Sequence, residues 1–162
     1  MPLGLSAYDC PKETRVKALI IYDSMYGNTE KITQAMRDAL PGATVMRPAE
    51  ARTAQLSGVD LLIVGSPTLG GRPSEATKAF LDAMPASCLT GVKVAAFDTR
   101  LTKKWVKLFG WASDKILARL LACGGTEASA AQGFFVEGTK GPLAEKETEK
   151  AAAWAKTLDG AR

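Results

Sequence analysis

Short, continuous runs of hydrophobic residues alternate along this chain with segments in which hydrophobic residues recur every three or four positions. The continuous runs have the length of β-strands and lie at residues 16–22, 43–46, 59–64, 92–97 and 133–136. The periodic segments predict helices over residues 28–40, 73–84, 113–122 and 143–158, with a weaker one over 49–56. Strands that are hydrophobic on both sides must be covered on both faces. The pattern therefore predicts a five-stranded parallel sheet between two helical layers, an α/β/α sandwich.

Ligands of such sheets bind outside the carboxyl ends of the strands, where the strand order reverses. The loops after the first, third and fourth strands, which begin near Ser24, Ser66 and Asp98, are therefore the candidate binding loops. Hydrophobic stripes fix which helix faces should be buried. In the second long helix the expected buried stripe consists of Ala76, Ala79, Phe80, Ala83 and Met84, and in the third of Ile116, Leu117, Leu120 and Leu121.

Length and composition are those of one globular domain. The chain has 162 residues, of which 46% are hydrophobic and 23% charged. We expect residues 1–15 to form a flexible polar leader and residues 16–162 to form a single domain. The first residues lack the pattern of a secretory signal, and no hydrophobic run is long enough to span a bilayer, so we expect a cytoplasmic protein that does not bind membranes.

The chain contains no histidine. Nucleophilic Ser-His-Asp and Cys-His systems and histidine-ligated zinc or di-iron centres are thereby excluded. The three cysteines, Cys10, Cys88 and Cys123, are far apart and form no Cys-x-x-Cys pair, so they are interpreted as reduced thiols rather than metal ligands. These absences favour a bound organic cofactor over catalysis by side chains.

The first candidate loop has the composition of a phosphate site. Ser24-Met25-Tyr26-Gly27-Asn28-Thr29 connects the first strand to the first helix, whose start presents unpaired N–H groups and a partial positive charge. Hydroxyl and amide side chains add donors, and Gly27 allows close approach of the backbone. A phosphate monoester could be held there by neutral hydrogen bonds without a lysine. The alternative is that these residues only cap the helix.

The second loop is also rich in glycine and hydroxyl groups, and the two loops together carry a family resemblance. D-S-M-Y-G-N-T-E-K followed by G-S-P-T-L-G-G resembles the flavodoxin family, most closely the FMN-binding flavodoxin modules of flavo-diiron proteins, over residues 16–158. The resemblance implies a stand-alone flavodoxin-like domain with strand order 2-1-3-4-5 and FMN as cofactor. It implies that the phosphate is bound by Ser24, Met25, Tyr26, Gly27, Asn28 and Thr29, and that the ring is flanked by Ser66, Pro67, Thr68, Leu69, Gly70, Gly71, Asp98, Thr99 and Arg100.

The chain departs from the family where aromatic residues usually sandwich the ring. Leu69 and Thr99 stand near those positions. Trp105, Phe109 or Trp111 could cover the flavin instead, although packing in the core or at the surface is an alternative for each. The resemblance further implies that the reactive N5 edge lies near Gly70 or Gly71.

Charge is a second departure, since many flavodoxins are strongly acidic and this chain carries a net charge of +4. Arg72 and Arg100 are expected beside the flavin, where positive charge would raise the potential of its reduction to the anionic hydroquinone. Between residues 100 and 119 the sequence contains six basic residues and only one acidic residue. This basic segment is expected to attract redox partner proteins with acidic docking surfaces; a solvated basic face is the alternative.

The leading functional hypothesis is an electron carrier that shuttles electrons between redox partners through FMN semiquinone and hydroquinone, without catalytic side chains or metal. The alternative is an FMN-dependent oxidoreductase, such as an NAD(P)H:quinone reductase or a small heme-pathway dehydrogenase. A signalling receiver domain is disfavoured. Such a domain needs an acidic phosphoacceptor residue at the end of the third strand, where this chain has Gly65-Ser66. No nucleotide P-loop or nucleic-acid motif is present. We expect a monomer or a weak homodimer.

Overall fold

A computed structural model describes residues 16–102 and 110–159. Its strands are β1 (Ala18–Tyr22), β2 (Thr44–Met46), β3 (Leu61–Pro67), β4 (Lys93–Leu101), β5 (Thr126–Glu127) and β6 (Gln132–Val136). Its α-helices are α1 (Asn28–Ala39), α2 (Glu75–Ala83), α3 (Ala112–Ala122) and α4 (Glu147–Asp159). The expected leader, Trp105 and Phe109 lie outside the described residues.

All the strand pairs of the sheet are parallel, and the order is β2-β1-β3-β4-β5. The predicted α/β/α architecture and strand order are confirmed. The fifth position is divided, because β5 pairs with the first residues of β4 and β6 pairs with its last five, from Phe97 to Leu101. The sequence pattern missed β5 because its two residues are exposed and contain no hydrophobic side chain.

Alternate residues of the central strands enter two separate cores. Leu19, Leu62 and Val94 belong to the core beneath α2 and α3, whereas Ile20, Ile63 and Ala95 belong to the core beneath α1 and α4. Both sets of side chains are almost inaccessible to solvent. This double burial explains why the strands are hydrophobic along their whole length, as parallel strands covered on both faces are.

The site-bearing strands are longer than their hydrophobic runs. β3 continues past Val64 to Pro67, and β4 continues past Phe97 to Leu101, because backbone pairing extends through Ser66 with Asp98 and Pro67 with Thr99. The hydrophobic run ends where the side chains leave the hydrophobic core, but the hydrogen-bonded pairing of the two strands continues beyond that point. As a result, Ser66 and Asp98 stand on rigid strands and not on free loops.

Two helix predictions are corrected. Residues 49–56 form no α-helix but two short 3-10 turns, Pro48–Glu50 and Thr53–Leu56, since the stretch has too few periodic hydrophobic residues to anchor a longer helix. In α2 the small alanines of the expected stripe, Ala76, Ala79 and Ala83, face solvent. The helix is turned to bury larger groups, namely Thr77, Phe80 and Leu81.

Leu121, expected to face inward, is 38% exposed at the end of α3, whereas the other three residues of that stripe are buried. No helix in the described part of the chain is long and apolar enough to cross a membrane. Cytoplasmic location and the division into leader and domain stay predictions of the sequence.

Candidate functional site

The carboxyl ends of β1, β3 and β4 meet around a cleft that is open to solvent. Most of the predicted site residues line it, and three residues that were not predicted complete its wall. The lining residues are Ser24, Met25, Tyr26, Asn28, Thr29, Pro67, Thr68, Leu69, Thr99, Arg100, Leu101, Val136 and Thr139. The remaining predicted residues, which do not line the cleft, are Gly27, Ser66, Gly70, Gly71 and Asp98.

The first loop presents open backbone donors. The N–H groups of Met25, Tyr26, Asn28 and Thr29 have no hydrogen-bond partner among the described residues. An ordinary helix start leaves its own first N–H groups unpaired. Here Met25 and Tyr26, which precede Gly27, add their own open N–H groups. The loop therefore carries more open donors than helix capping requires. Such a cluster at a helix N-terminus suits an anion.

Two residues of this loop, Ser24 and Gly27, fix its conformation. Ser24 Oγ accepts hydrogen bonds from the N–H groups of Gly27, at 3.1 Å, and Glu30, at 3.3 Å. Gly27 itself has φ of 91°, in the left-handed region that favours glycine. The predicted roles of Ser24 and Gly27 as turn and cap residues are thus visible alongside the open donors. The loop is both a helix start and a potential anion site.

A buried hydrogen bond joins the first loop to the third. Thr29 Oγ1 lies 2.9 Å from Thr99 Oγ1, and both residues are almost inaccessible. Asn28 packs against the loop that follows β6: a Cβ on Gly141 would lie only 2.7 Å from Asn28 Oδ1. The glycine therefore permits the close approach that closes this side of the cleft.

The second loop is a tight hairpin. The backbones of Leu69 and Arg72 exchange two hydrogen bonds, of 2.8 Å and 3.1 Å. Gly70 and Gly71 between them have φ of 58° and 81°, the combination that a type I′ turn requires. The Lys115 ammonium group, on α3, donates to the Gly71 carbonyl at 2.5 Å and so connects the hairpin to that helix.

Ser66, which was predicted to flank a ring, supports the loops from behind. Its Oγ accepts from the Ser74 N–H at 2.9 Å and donates to the Pro67 carbonyl. Ser74 Oγ in turn donates to Asp23 Oδ2 at 2.5 Å, at the start of the first loop. The series Ser66, Ser74 and Asp23 therefore holds the first and second loops in register.

The third loop, defined as Asp98, Thr99 and Arg100 at the end of β4, is occupied by an ion pair. The Asp98 carboxylate is inaccessible to solvent and accepts from Arg100 Nε at 2.7 Å, from Arg100 Nη2 at 2.9 Å and from the Ser113 N–H at 2.9 Å. Arg100 lines the cleft, but its charge is paired with a buried carboxylate, and its effect on the potential of a bound flavin stays a prediction. Sequence reasoning placed both residues in the loop but could not show that they bind each other.

Trp111 stacks on the same guanidinium group. The Arg100 Cζ atom lies 4.0 Å from the centroid of the Trp111 ring system. On β6, a Cβ at Gly133 would lie 2.3 Å from Arg100 Cζ, so any other residue there would displace the guanidinium group. Trp111, one of the three candidates for covering the cleft, instead covers the Asp98–Arg100 pair and does not line the cleft.

Behind the first loop lies a cluster centred on Arg47, which the sequence analysis missed. Its Nη1 lies 3.1 Å from Asp23 Oδ1 and donates to the Ser24 carbonyl at 3.2 Å, and its Nη2 lies 3.5 Å from Glu30 Oε1. The Arg47 Cζ atom lies 4.7 Å from the centroid of the Tyr22 ring. No local motif marks Arg47, since it reaches the loop only because β2 pairs with β1.

The cluster shifts two pKa values. Burial, helped by the hydrogen bond to Glu30, raises the pKa of Tyr22. Burial alone would lower the pKa of Arg47, but Tyr22, Asp23 and Glu30 raise it by more. The phenol of Tyr22 therefore stays protonated and the guanidinium group of Arg47 stays charged at neutral pH.

Large apolar side chains around the cleft are uncovered. Met25, Tyr26 and Leu69 are 54%, 48% and 40% exposed, and all three line it. A soluble chain seldom leaves several such groups beside one cleft unless a ligand covers them. Leu101, Val136 and Thr139 extend the wall; a short hydrophobic strand gave the only sequence signal for Val136.

These features fit FMN. The open N–H groups match its phosphate, the exposed apolar side chains match its ring, and the cleft joins the two. Among the described residues no group of three or more acidic or cysteine side chains is placed to hold a metal ion.

Comparison with known proteins agrees with this fit. The flavodoxin family model matches residues 20–154. No curated protein sequence matches the chain significantly. Oxidised flavodoxin 2 from Bacillus cereus superposes with a TM-score of 0.75 at 25% identity, covering 88% of this chain and 97% of that one.

Larger proteins contain the same fold. The flavodiiron core of Flv1 from Synechocystis matches with a TM-score of 0.66 at 16% identity, over 98% of this chain and 40% of its own. Rubredoxin:oxygen oxidoreductase from Desulfovibrio gigas matches with a TM-score of 0.66 at 21% identity, over 98% of this chain and 39% of its own. Since the family model covers most of the sequence and the cleft has the matching chemistry, the chain belongs to the flavodoxin family of FMN-binding electron-transfer proteins.

Proposed function

We propose that this protein binds FMN in the cleft between its three loops and carries electrons between redox partner proteins. The observation that supports this best is the division of one cleft into a polar and an apolar part. Open N–H groups lie in the first loop, and exposed apolar side chains lie around the cleft. That combination suits a phosphate monoester attached to a flat aromatic ring.

The residues divide into three groups in this proposal. The backbone of Met25, Tyr26, Asn28 and Thr29 binds the phosphate group. Leu69 packs against the ring, and the glycine hairpin beside it limits access of water to the ring edge. Bound FMN supplies reversible one-electron and two-electron chemistry, while the side chains bind and orient it.

Partner proteins are proposed to dock through acidic surfaces. The net charge of +4 supports this, as do two exposed basic residues beside the hairpin, Arg72 and Lys115. Arg100 contributes less than its sequence position indicates, because Asp98 neutralises it. If the basic surface attracts acidic partners, oxidation of the reduced protein by ferricyanide, an anion, should slow as salt is added, and oxidation by a cationic cobalt complex should not.

A flavin titration tests the proposal directly. The purified chain should quench the fluorescence of FMN with a submicromolar dissociation constant and should acquire a visible flavin spectrum. Failure to bind FMN at saturating concentration would reject the proposal. The FMN-loaded protein should then pass electrons to one-electron acceptors but show no turnover with NADH or NADPH and soluble quinones; such turnover would favour the oxidoreductase alternative.

A further inference from the structure

The first loop combines open donors with an unfavourable charge environment. Asp23 precedes it directly and Glu30 lies in the first turn of α1. The carboxylates of Asp23 and Glu30 therefore stand on either side of a loop that, in the proposed function, receives a phosphate with nearly two negative charges. Without compensation, both would repel that phosphate.

Arg47 provides compensation at this point. It contacts both carboxylates, at 3.1 Å for Asp23 and 3.5 Å for Glu30. Its position is fixed by the Tyr22 ring below it and by the hydrogen bond from its own N–H to Glu50 Oε1 at 2.9 Å. The side chain is 38% exposed, so water screens its pair with Glu30.

Arg47 also orients the loop backbone. Its Nη1 donates to the Ser24 carbonyl at 3.2 Å. In a trans peptide the carbonyl and the following N–H point in opposite directions. Holding the Ser24 carbonyl toward Arg47 therefore turns the N–H of Met25 away from Arg47. That N–H is one of the open donors of the loop.

We propose that Arg47 is a positioning residue for the phosphate of FMN: it offsets one of the two negative charges of Asp23 and Glu30 and fixes the Ser24–Met25 peptide with its N–H available to the ligand. This inference rests on the proposed function. It assigns part of the specificity for FMN over riboflavin to a side chain that need not touch the ligand. It also explains how a loop without a lysine of its own accepts a phosphate.

The test compares FMN with riboflavin, which has the same ring but no phosphate. Arg47→Met should weaken FMN binding about tenfold, equivalent to about 1.4 kcal/mol, and should weaken riboflavin binding less than about twofold. Arg37→Met is the matched control: Arg37 is an exposed arginine in the last turn of α1, 3.7 Å from Asp38, and its loss should change neither constant. Fluorescence titration gives both dissociation constants.

Two further variants separate charge from folding. Arg47→Lys keeps the charge and should retain most of the preference for FMN. Adding Glu30→Gln to Arg47→Met should restore part of the lost FMN affinity, because one of the uncompensated carboxylates is removed. The lysine variant keeps the test decisive if Arg47→Met does not fold, because loss of the preference for FMN in a variant that keeps the positive charge would overturn the charge argument.

The outcomes are distinguishable. Equal weakening of FMN and riboflavin in Arg47→Met would assign Arg47 a purely structural role, and unchanged binding of both would remove any role; either result overturns the inference while leaving the proposed function intact. Absence of recovery in the double variant would overturn the charge argument. If the unmodified protein fails to bind FMN, the proposed function and this inference fail together.

Discussion

The first and third loops lie side by side at one edge of the sheet, but they use their polar groups in opposite ways. In the first loop, backbone N–H groups stay open toward the cleft, and Arg47 behind the loop pairs with the two neighbouring carboxylates. In the third loop, the charged side chains of Asp98 and Arg100 bind each other and Ser113. The charged side chains of the third loop are paired with each other, whereas the backbone donors of the first loop are available to a ligand.

The difference shows that the type of residue does not reveal whether it is available. Arg100 is an obvious candidate for electrostatic control of a bound flavin. Its charge, however, is paired with the buried Asp98 carboxylate, and one face of its guanidinium group stacks on Trp111. No residue type marks the open backbone donors of Met25 and Tyr26, yet in the proposed function these donors help to bind the phosphate. The contrast can be tested by variants that act on stability in one loop and on ligand preference in the other.

The largest expected effect is on stability in the third loop. Asp98→Ala leaves the Arg100 guanidinium group, only 13% exposed, without its carboxylate. Because breaking a buried pair strands a charge, the free energy of unfolding should fall by about 3 kcal/mol, measured by urea denaturation without added flavin. The preference for FMN over riboflavin should not change. Asp82→Ala, which removes an exposed carboxylate bound to Lys78, should have little effect on stability.

A loss below about 1 kcal/mol for Asp98→Ala would mean that the ion pair does not hold the third loop. A change in the preference for FMN over riboflavin would mean that the two loops are not independent.

An intermediate effect is expected in the first loop. Gly27→Ala places a Cβ at φ of 91°, where no other atom lies within 4 Å, so only backbone strain of about 1–2 kcal/mol opposes it. Movement of the loop to relieve that strain should weaken FMN binding about tenfold and riboflavin binding much less. Titrations with both flavins measure the difference.

Gly42→Ala is the matched control for this variant, because Gly42 has φ of 84° with equally open surroundings and lies after α1, outside the cleft. It should reduce stability by a similar amount and leave FMN binding unchanged. If Gly42→Ala also weakened FMN binding, global destabilisation would account for the effect of Gly27→Ala.

The smallest expected effect is in the second loop. Leu69 is 40% exposed, so Leu69→Ala should hardly change the free energy of unfolding. Removing part of the apolar contact should weaken FMN and riboflavin equally, by about threefold. Leu121, which is 38% exposed but does not line the cleft, provides the control. A larger loss for FMN than for riboflavin would place Leu69 near the phosphate and contradict its assignment to the ring.

Particular elements show what local patterns could predict. The run 59–64 predicted β3 because a strand buried on both faces must be hydrophobic throughout, and Ser24 to Thr29 predicted a donor-rich helix start. The orientation of α2 was not predictable in the same way, because its alanines and its larger residues compete for burial and only the shape of the core decides between them. The two-residue strand β5 has no pattern of its own and exists because β4 offers it a partner.

The sequence by itself determined the layered fold, the family and two of the loops that line the cleft, since hydrophobic periodicity and turn chemistry act between residues close in the chain. Only the tertiary structure decided that Asp98 binds Arg100, that Trp111 covers that pair and that Arg47 stands behind the first loop. These contacts depend on strand pairing and helix packing, which bring distant residues within hydrogen-bonding distance. For that reason no spacing along the chain indicates which charges are available to a ligand and which are already bound.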